Sequence, residues 1–372
     1  MNLNFSAVLS ALGSDAVLRI ANAIRPAGDY LFASLLPERN RATYQASSGS
    51  MTVRATMAGM VGMDSPYPPT GVVDSSTFLE ATVKVANQPY LPEAAIRELQ
   101  TLMQAASGAG AGVVTVDAVA EALNFLQKVV IQPHIDTAEY LRGEALVGGA
   151  IDWTFNLKRL QVGFGVPAAN MLANRTGTAA YGGTASGFWA DMLALRKALR
   201  YNVRIFIAHP DTIDVIVSNS ANSLAVVGQD GSTFQVRRFI SQNGTNTASS
   251  DARETMTLVG YDKEGEILDP LSAGSTIKVP FMPKGKILAV GNNAESGYRV
   301  GQGSTNDPVD ALALGYTHIG PTVEGGGVPG RWARLFTPEH MQMQLHGQGV
   351  SNLMPVIEAP AKIAVASTDM PA

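Results

Sequence analysis

The 372-residue chain contains no cysteine. Disulfides, thiol nucleophiles and thiolate-held zinc or iron–sulfur centres are therefore excluded. Charge is also scarce: 16% of residues are Asp, Glu, Lys or Arg, and the formal net charge is −4. Lys and Arg are scattered, so bulk electrostatics give no case for a nucleic-acid binder. No run approaches the ~18 apolar residues of a membrane span. The N-terminus lacks a basic leader followed by an apolar block. Its Phe5, Val8, Leu9 and Leu12 fall at helical spacing instead, which suggests a short amphipathic helix and a soluble product made in a reducing cytoplasm.

Reaction chemistry is equally sparse. The five histidines are His134, His209, His318, His340 and His346. None forms His-Glu-x-x-His or another close ligand pair. His340 and His346 share a strand face but stand too far apart for one metal. No Gly-x-Ser-x-Gly elbow and no Walker loop occur. Gly301-Gln-Gly-Ser-Thr lacks the helix start that would hold phosphate. Asp262, Glu264 and Glu266 offer too few oxygen ligands for calcium and read as solvated charge on a turn. No catalytic, cofactor-binding or metal-binding residue is assigned, and no cofactor is expected.

What is abundant is apolar: 46% of residues, enough to fill a sizeable core and leave apolar surface for partners. The length suits two or three domains. Residues 1–47 read as short helical pieces broken at Pro26 and Pro37, an arm laid on something else. Met51–Thr56 and Ala81–Ala86 are strand-like. Between them, residues 59–78 carry Pro66, Pro68 and Pro69, which stiffen an unusually long connection. Met57, Met60, Met63 and Tyr67 suit such a loop to packing on a neighbour.

Residues 93–106 read as helix, ended by Ser107–Gly112. That glycine run follows a helix, whereas a dinucleotide fingerprint follows a strand, so it reads as a turn. Val116, Val119, Leu123, Leu126 and Val130 then form one apolar stripe. Ile135, Ala138, Leu141 and Ala145 continue it past a possible kink at Pro133. Gly148-Gly149 stop the helix. Ile151, Trp153, Phe155 and Leu157 alternate with polar residues, as in a half-buried strand. Residues 163–187 read as loop with a short helix, and Phe188–Leu199 as helix. Val203–Ala208 is a strand leading to a helix from about Asp211, an α/β unit. Strands are expected at Phe234–Ile240 and Glu254–Val259 around Asn243-Gly244, and at Thr276–Phe281 and Ile287–Val290 around Pro283–Gly285. Met341–His346 alternates after the glycine loop 324–330, and Pro355–Ser367 is a further strand candidate.

This order of elements resembles the major capsid proteins of tailed bacteriophages, most of all the lambda-type family, over nearly the whole chain. Ala138–Gly149 followed by Ile151–Leu157 resembles that family's spine helix and its exit into a peripheral strand. Arg204–Asp211 resembles the entry into the axial domain, Phe281–Gly291 a late axial stretch, and Arg331–Val365 the C-terminal return to the peripheral domain. The resemblance implies an α+β Johnson fold. It places an N-terminal arm at 1–49, an extension loop at 50–88 and a peripheral domain at 89–202 and 321–372. The spine helix falls at about 116–147 and the axial domain at 203–320.

It further implies a non-enzymatic major capsid protein of the virion, assembled in the host cytoplasm. Copies would form hexamers and pentamers of an icosahedral shell around double-stranded DNA, without sequence-specific binding and without a membrane. Scaffold, portal and decoration proteins are the other partners implied. Gly148-Gly149 and Gly325–Gly327 are candidate flex points between ring types. Some relatives join subunits by a Lys–Asn isopeptide bond, but residues 55–80 contain no lysine and Lys84 stands at the loop's base, so no cross-link is expected. An encapsulin-like nanocompartment shell and a monomeric hydrolase remain the alternatives.

Overall fold

The computed structural model describes residues 21–24, 26, 28–54, 72–91, 93–94, 97–98, 124–155, 158–242, 245–248, 255–268, 276–291, 313–336 and 345–370. The amphipathic start at 5–12, residues 59–71 of the proline-rich connection, the glycine turn at 107–112, the helical stripe before 124 and the 301–305 loop lie outside the described residues, while residues 72–78 of that connection are strand.

Helix α1 (Leu31–Leu35) leads into β1 (Glu38–Asn40). A long hairpin follows: β2 (Gln45–Arg54) runs out and β3 (Val72–Ala81) returns. Next come β4 (Val83–Asn87) and β5 (Tyr90–Leu91). Helix α2 (Gln132–Gly148) is entered through a π-helical turn at Leu126–Ile131. Pro133 gives a reason for that wide turn. Its ring would clash with the carbonyl four residues earlier and it brings no N–H, so the backbone loosens before it. Gly149 ends α2 in the left-handed region, φ +67°, where a side chain would add strain.

The strand expected at Ile151–Leu157 is β6 (Ala150–Phe155), and it turns back at once as β7 (Lys158–Gly163). Helix α3 (Phe188–Ala198), β8 (Val203–Ala208) and α4 (Pro210–Ser218) match the α/β unit read from the sequence. Strands β9 (Leu224–Asp230), β10 (Thr233–Gln242), β11 (Thr245–Ala248) and β12 (Thr255–Gly260) follow. Then come the hairpin β13 (Glu264–Leu268) and β14 (Thr276–Pro280), and β15 (Lys286–Gly291). The C-terminal part supplies β16 (Gly315–Gly320), β17 (Trp332–Phe336), β18 (Leu345–Ile357) and β19 (Ile363–Ser367).

Apart from the separate hairpins β2–β3, β6–β7 and β13–β14, two sheets organise these strands. The first has the order β1-β16-β18-β17, with β4 and β5 also paired to β18. The second runs β11-β10-β12-β8-β15-β19, with β9 also on β10. Helix α2 packs into a core shared by both. Ala138, Leu141, Ala145 and Leu146 are fully buried there among Leu353 and Met354 of the first sheet and Leu288 and Ile363 of the second. Burying each such leucine or isoleucine contributes about 1.5–3 kcal/mol. A separate cluster under the second sheet joins Phe188, Leu195, Ile213, Val236 and Leu258.

The tail does not form one strand from 355 to 367. β18 ends at Ile357, a 3-10 turn intervenes at Pro360–Lys362, and β19 joins the other sheet. The chain thus changes sheets within its last thirty residues, as the turn-forming Pro360 permits.

Candidate functional site

The described histidines do not converge. His134 lies on α2, where Nδ1 is 2.9 Å from Ser351 Oγ and Nε2 is 2.9 Å from Asn87 Oδ1. His209 caps α4, its Nδ1 accepting from Asp211 N at 3.1 Å. His318 sits on β16. His346 stacks on Tyr90 at 5.7 Å between ring centroids, and His340 is outside the described residues. Among the described residues no group of three or more His, Asp or Glu could hold a metal. Glu264 and Glu266 lie on strand β13 rather than on the turn expected of them, with Asp262 just before it.

The densest polar constellation is a buried one that the sequence reading passed over. Arg142 on α2 is fully buried. Its Nε donates to Thr317 Oγ1 at 2.7 Å, Nη1 to Glu139 Oε2 at 3.0 Å and Nη2 to Glu38 Oε1 at 3.1 Å. Arg331 also pairs with Glu38. Glu139 Oε1 accepts from the backbone N–H of Phe32 at 2.8 Å and from Tyr261 O–H at 2.7 Å. Two carboxylates thus face two guanidiniums, and the node ties α1, β1, α2, β16 and the end of β12 together. Burial opposes ionisation of Glu38, but Arg331 and Arg142 outweigh it and hold that carboxyl below its ordinary range. Burial and the neighbouring Glu139 raise the Tyr261 hydroxyl. The node is a fixed joint, because every charge is paired. The available sequence signal was Glu139 and Arg142, three apart, inside the apolar stripe of α2.

The surface offers two other features. Hairpin β2–β3 is paired from Gln45↔Ala81 to Arg54↔Val72 and forms a two-stranded sheet of its own. Ten residues of strand extend roughly 33 Å. Among the described contacts its root is tied to the body, through Tyr316 O–H to Ser47 O at 2.7 Å and through Ala46, which is fully buried in the shared core. The second feature is a pair of neighbouring cavities, ≈ 490 Å³ and ≈ 430 Å³, along one face of α2. Both are lined by Pro133, Thr137, Trp153 and Ile267. Val85 and Leu160 add apolar wall to the larger one.

No family model matches the chain, and no curated protein matches it. Solved structures do. A protein described as a capsid protein of a prophage in E. coli CFT073 superposes with TM-score 0.55 at 9% identity, over 97% of this chain and 99% of that one. A phage-related protein of Bordetella bronchiseptica RB50 gives TM-score 0.47 at 10% identity, over 95% of each chain. The encapsulin of Synechococcus elongatus PCC 7942 gives 0.38 at 13% identity, over 96% of this chain and 95% of that one. The first of these establishes the fold, the α+β architecture of tailed-phage major capsid proteins.

Proposed function

We propose that this chain is the major capsid protein of a tailed bacteriophage, of the lambda type, and that its work is structural. The observation that carries the reading is the β2–β3 hairpin on a body of this fold. A lone two-stranded hairpin is marginal in water, and the described contacts tie this one to its own body near the root. A neighbouring copy is the natural support. The apolar-walled cavities along α2 are the docking surface on that neighbour, and many modest contacts summed around a ring hold the assembly. Rings of five and six copies close an icosahedral shell around double-stranded DNA, in the virion, after assembly in the host cytoplasm. Scaffold, portal and decoration proteins complete it.

The division into arm, loop, peripheral and axial domains belongs to the same reading. Sheet membership supports two shifts in it. β16 pairs with β1 and β18, so 315–320 goes with the peripheral sheet. β19 pairs with β15, so 363–367 goes with the axial one.

Electron microscopy of the expressed chain, alone and with candidate scaffold, tests this reading. Closed shells or capsomer rings are expected, and shells from infected cells carry nuclease-protected DNA. A monodisperse monomer at high concentration under every condition overturns it. Shells filled with protein and free of nucleic acid give the encapsulin-like reading instead.

A further inference from the structure

Sheet alternation sends Glu38 and Thr317 inward to the buried joint and leaves their neighbours for the other face. β1 and β16 run parallel, with Arg39 opposite His318. On that face the Arg39 guanidinium lies 5.2 Å from the Tyr316 ring centroid and the Arg41 guanidinium 5.6 Å from it. Neither arginine has a carboxylate partner within ion-pairing distance among the described residues.

Beside them is a cavity of ≈ 370 Å³, lined by Arg41, Thr43, Ser47, Tyr316, His318 and Glu358. His318 is 1% exposed. Its Nε2 stands 2.8 Å from Thr43 O, so Nε2 carries the hydrogen, and Nδ1 is buried without a partner. The walls are fixed in place. Arg41 N–H donates to Ile319 O at 2.9 Å, and Tyr316 O–H donates to Ser47 O at 2.7 Å.

We propose that this cavity, at the root of the β2–β3 hairpin, is a binding site for a phosphate oxyanion, taken either as free phosphate or as a nucleic-acid backbone phosphate. The Arg41 guanidinium in the wall presents a planar N–H fork, the geometry that suits phosphate oxygens, and Arg39 beside the same tyrosine adds a second positive charge. Both lie within cation–π reach of the Tyr316 ring. The hydroxyl of Ser47 adds a short-reach donor, while that of Thr43 is already donated to Gln45 O at 3.0 Å. Glu358 is the one acid in the wall and sets the site's charge balance. A hydrogen phosphate also brings the O–H donor that His318 Nδ1 lacks. Binding here carries no base information, because phosphate contacts position without specifying sequence.

The test uses the unassembled full-length chain, titrated by calorimetry with inorganic phosphate and, separately, with a short oligonucleotide at fixed salt. Saturable phosphate binding is expected. Arg41→Gln, at an exposed position, should weaken it about tenfold, the size of one charge-assisted hydrogen bond. Glu358→Gln should strengthen it. Lys84→Gln, in another part of the surface, should leave it unchanged. Oligonucleotide binding that competes with phosphate and falls with Arg41→Gln identifies the backbone as the source. Phosphate binding without oligonucleotide binding identifies the free anion. Absence of phosphate binding overturns the proposal, and so does an equal loss in Lys84→Gln or no change in both site variants. Matching circular dichroism spectra show that the variants are folded.

Discussion

His134 is a neutral residue by construction. Burial, then the charge of Arg331, pushes its pKa from 6.5 down to about 4. The unfolded chain therefore takes up a proton below about pH 6.5 that the folded chain refuses. The stability that goes with neutral His134 is complete above that pH and is lost as pH falls toward 4, on the order of 3 kcal/mol in all. Urea titrations of unassembled subunits across this window should show the loss, and His134→Gln should flatten it. Gly349 faces the same spot. A Cβ there would stand 2.5 Å from His134 Nε2 and 2.6 Å from Asn87 Oδ1. Gly349→Ala should cost about 2–3 kcal/mol through overpacking, read as a lower urea midpoint with an unchanged slope.

At the scale of elements, the hairpin and its receiving groove carry the sharpest expectations. Replacing residues 55–71 by a two-residue turn should leave a folded subunit, because both sheets and α2 are built from other residues. Shells should disappear from micrographs of that variant. Leu160→Asp in the groove wall should act likewise by placing a charge in the apolar contact, with little change in the circular dichroism spectrum. These are also the elements that show what the sequence discloses. Val203–Ala208, the Gly149 stop and the apolar stripe of α2 were legible, since local periodicity and capping decide them. β16, with Gly315 and Gly320 at its ends, and β9, with its modest Leu-Ala-Val-Val-Gly run, were not. β9 pairs with its neighbour β10, and the hairpin signal Asp230-Gly231 was passed over, whereas β16 is a strand through β1 and β18, partners distant in sequence that no local pattern announces. The anion cavity was hidden for the same reason. Arg39 and His318 are neighbours only through the β1–β16 register.

For the whole molecule, the reading predicts shells held by packing alone. Residues 55–80 contain no lysine, so boiled, denatured particles should run as one monomer band on a gel, and a ladder of multimers would contradict this. One feature of the architecture also reaches into biosynthesis. The central strand β18 is made near the end of the chain, yet it pairs with β4 and β5 from the first hundred residues. The edge strand β19 comes later still. A polypeptide emerging from the ribosome cannot complete either sheet until β18 and β19 have been made. Products that stop before β18 therefore leave both sheets unfinished, and on the proposed reading they should be absent from purified shells.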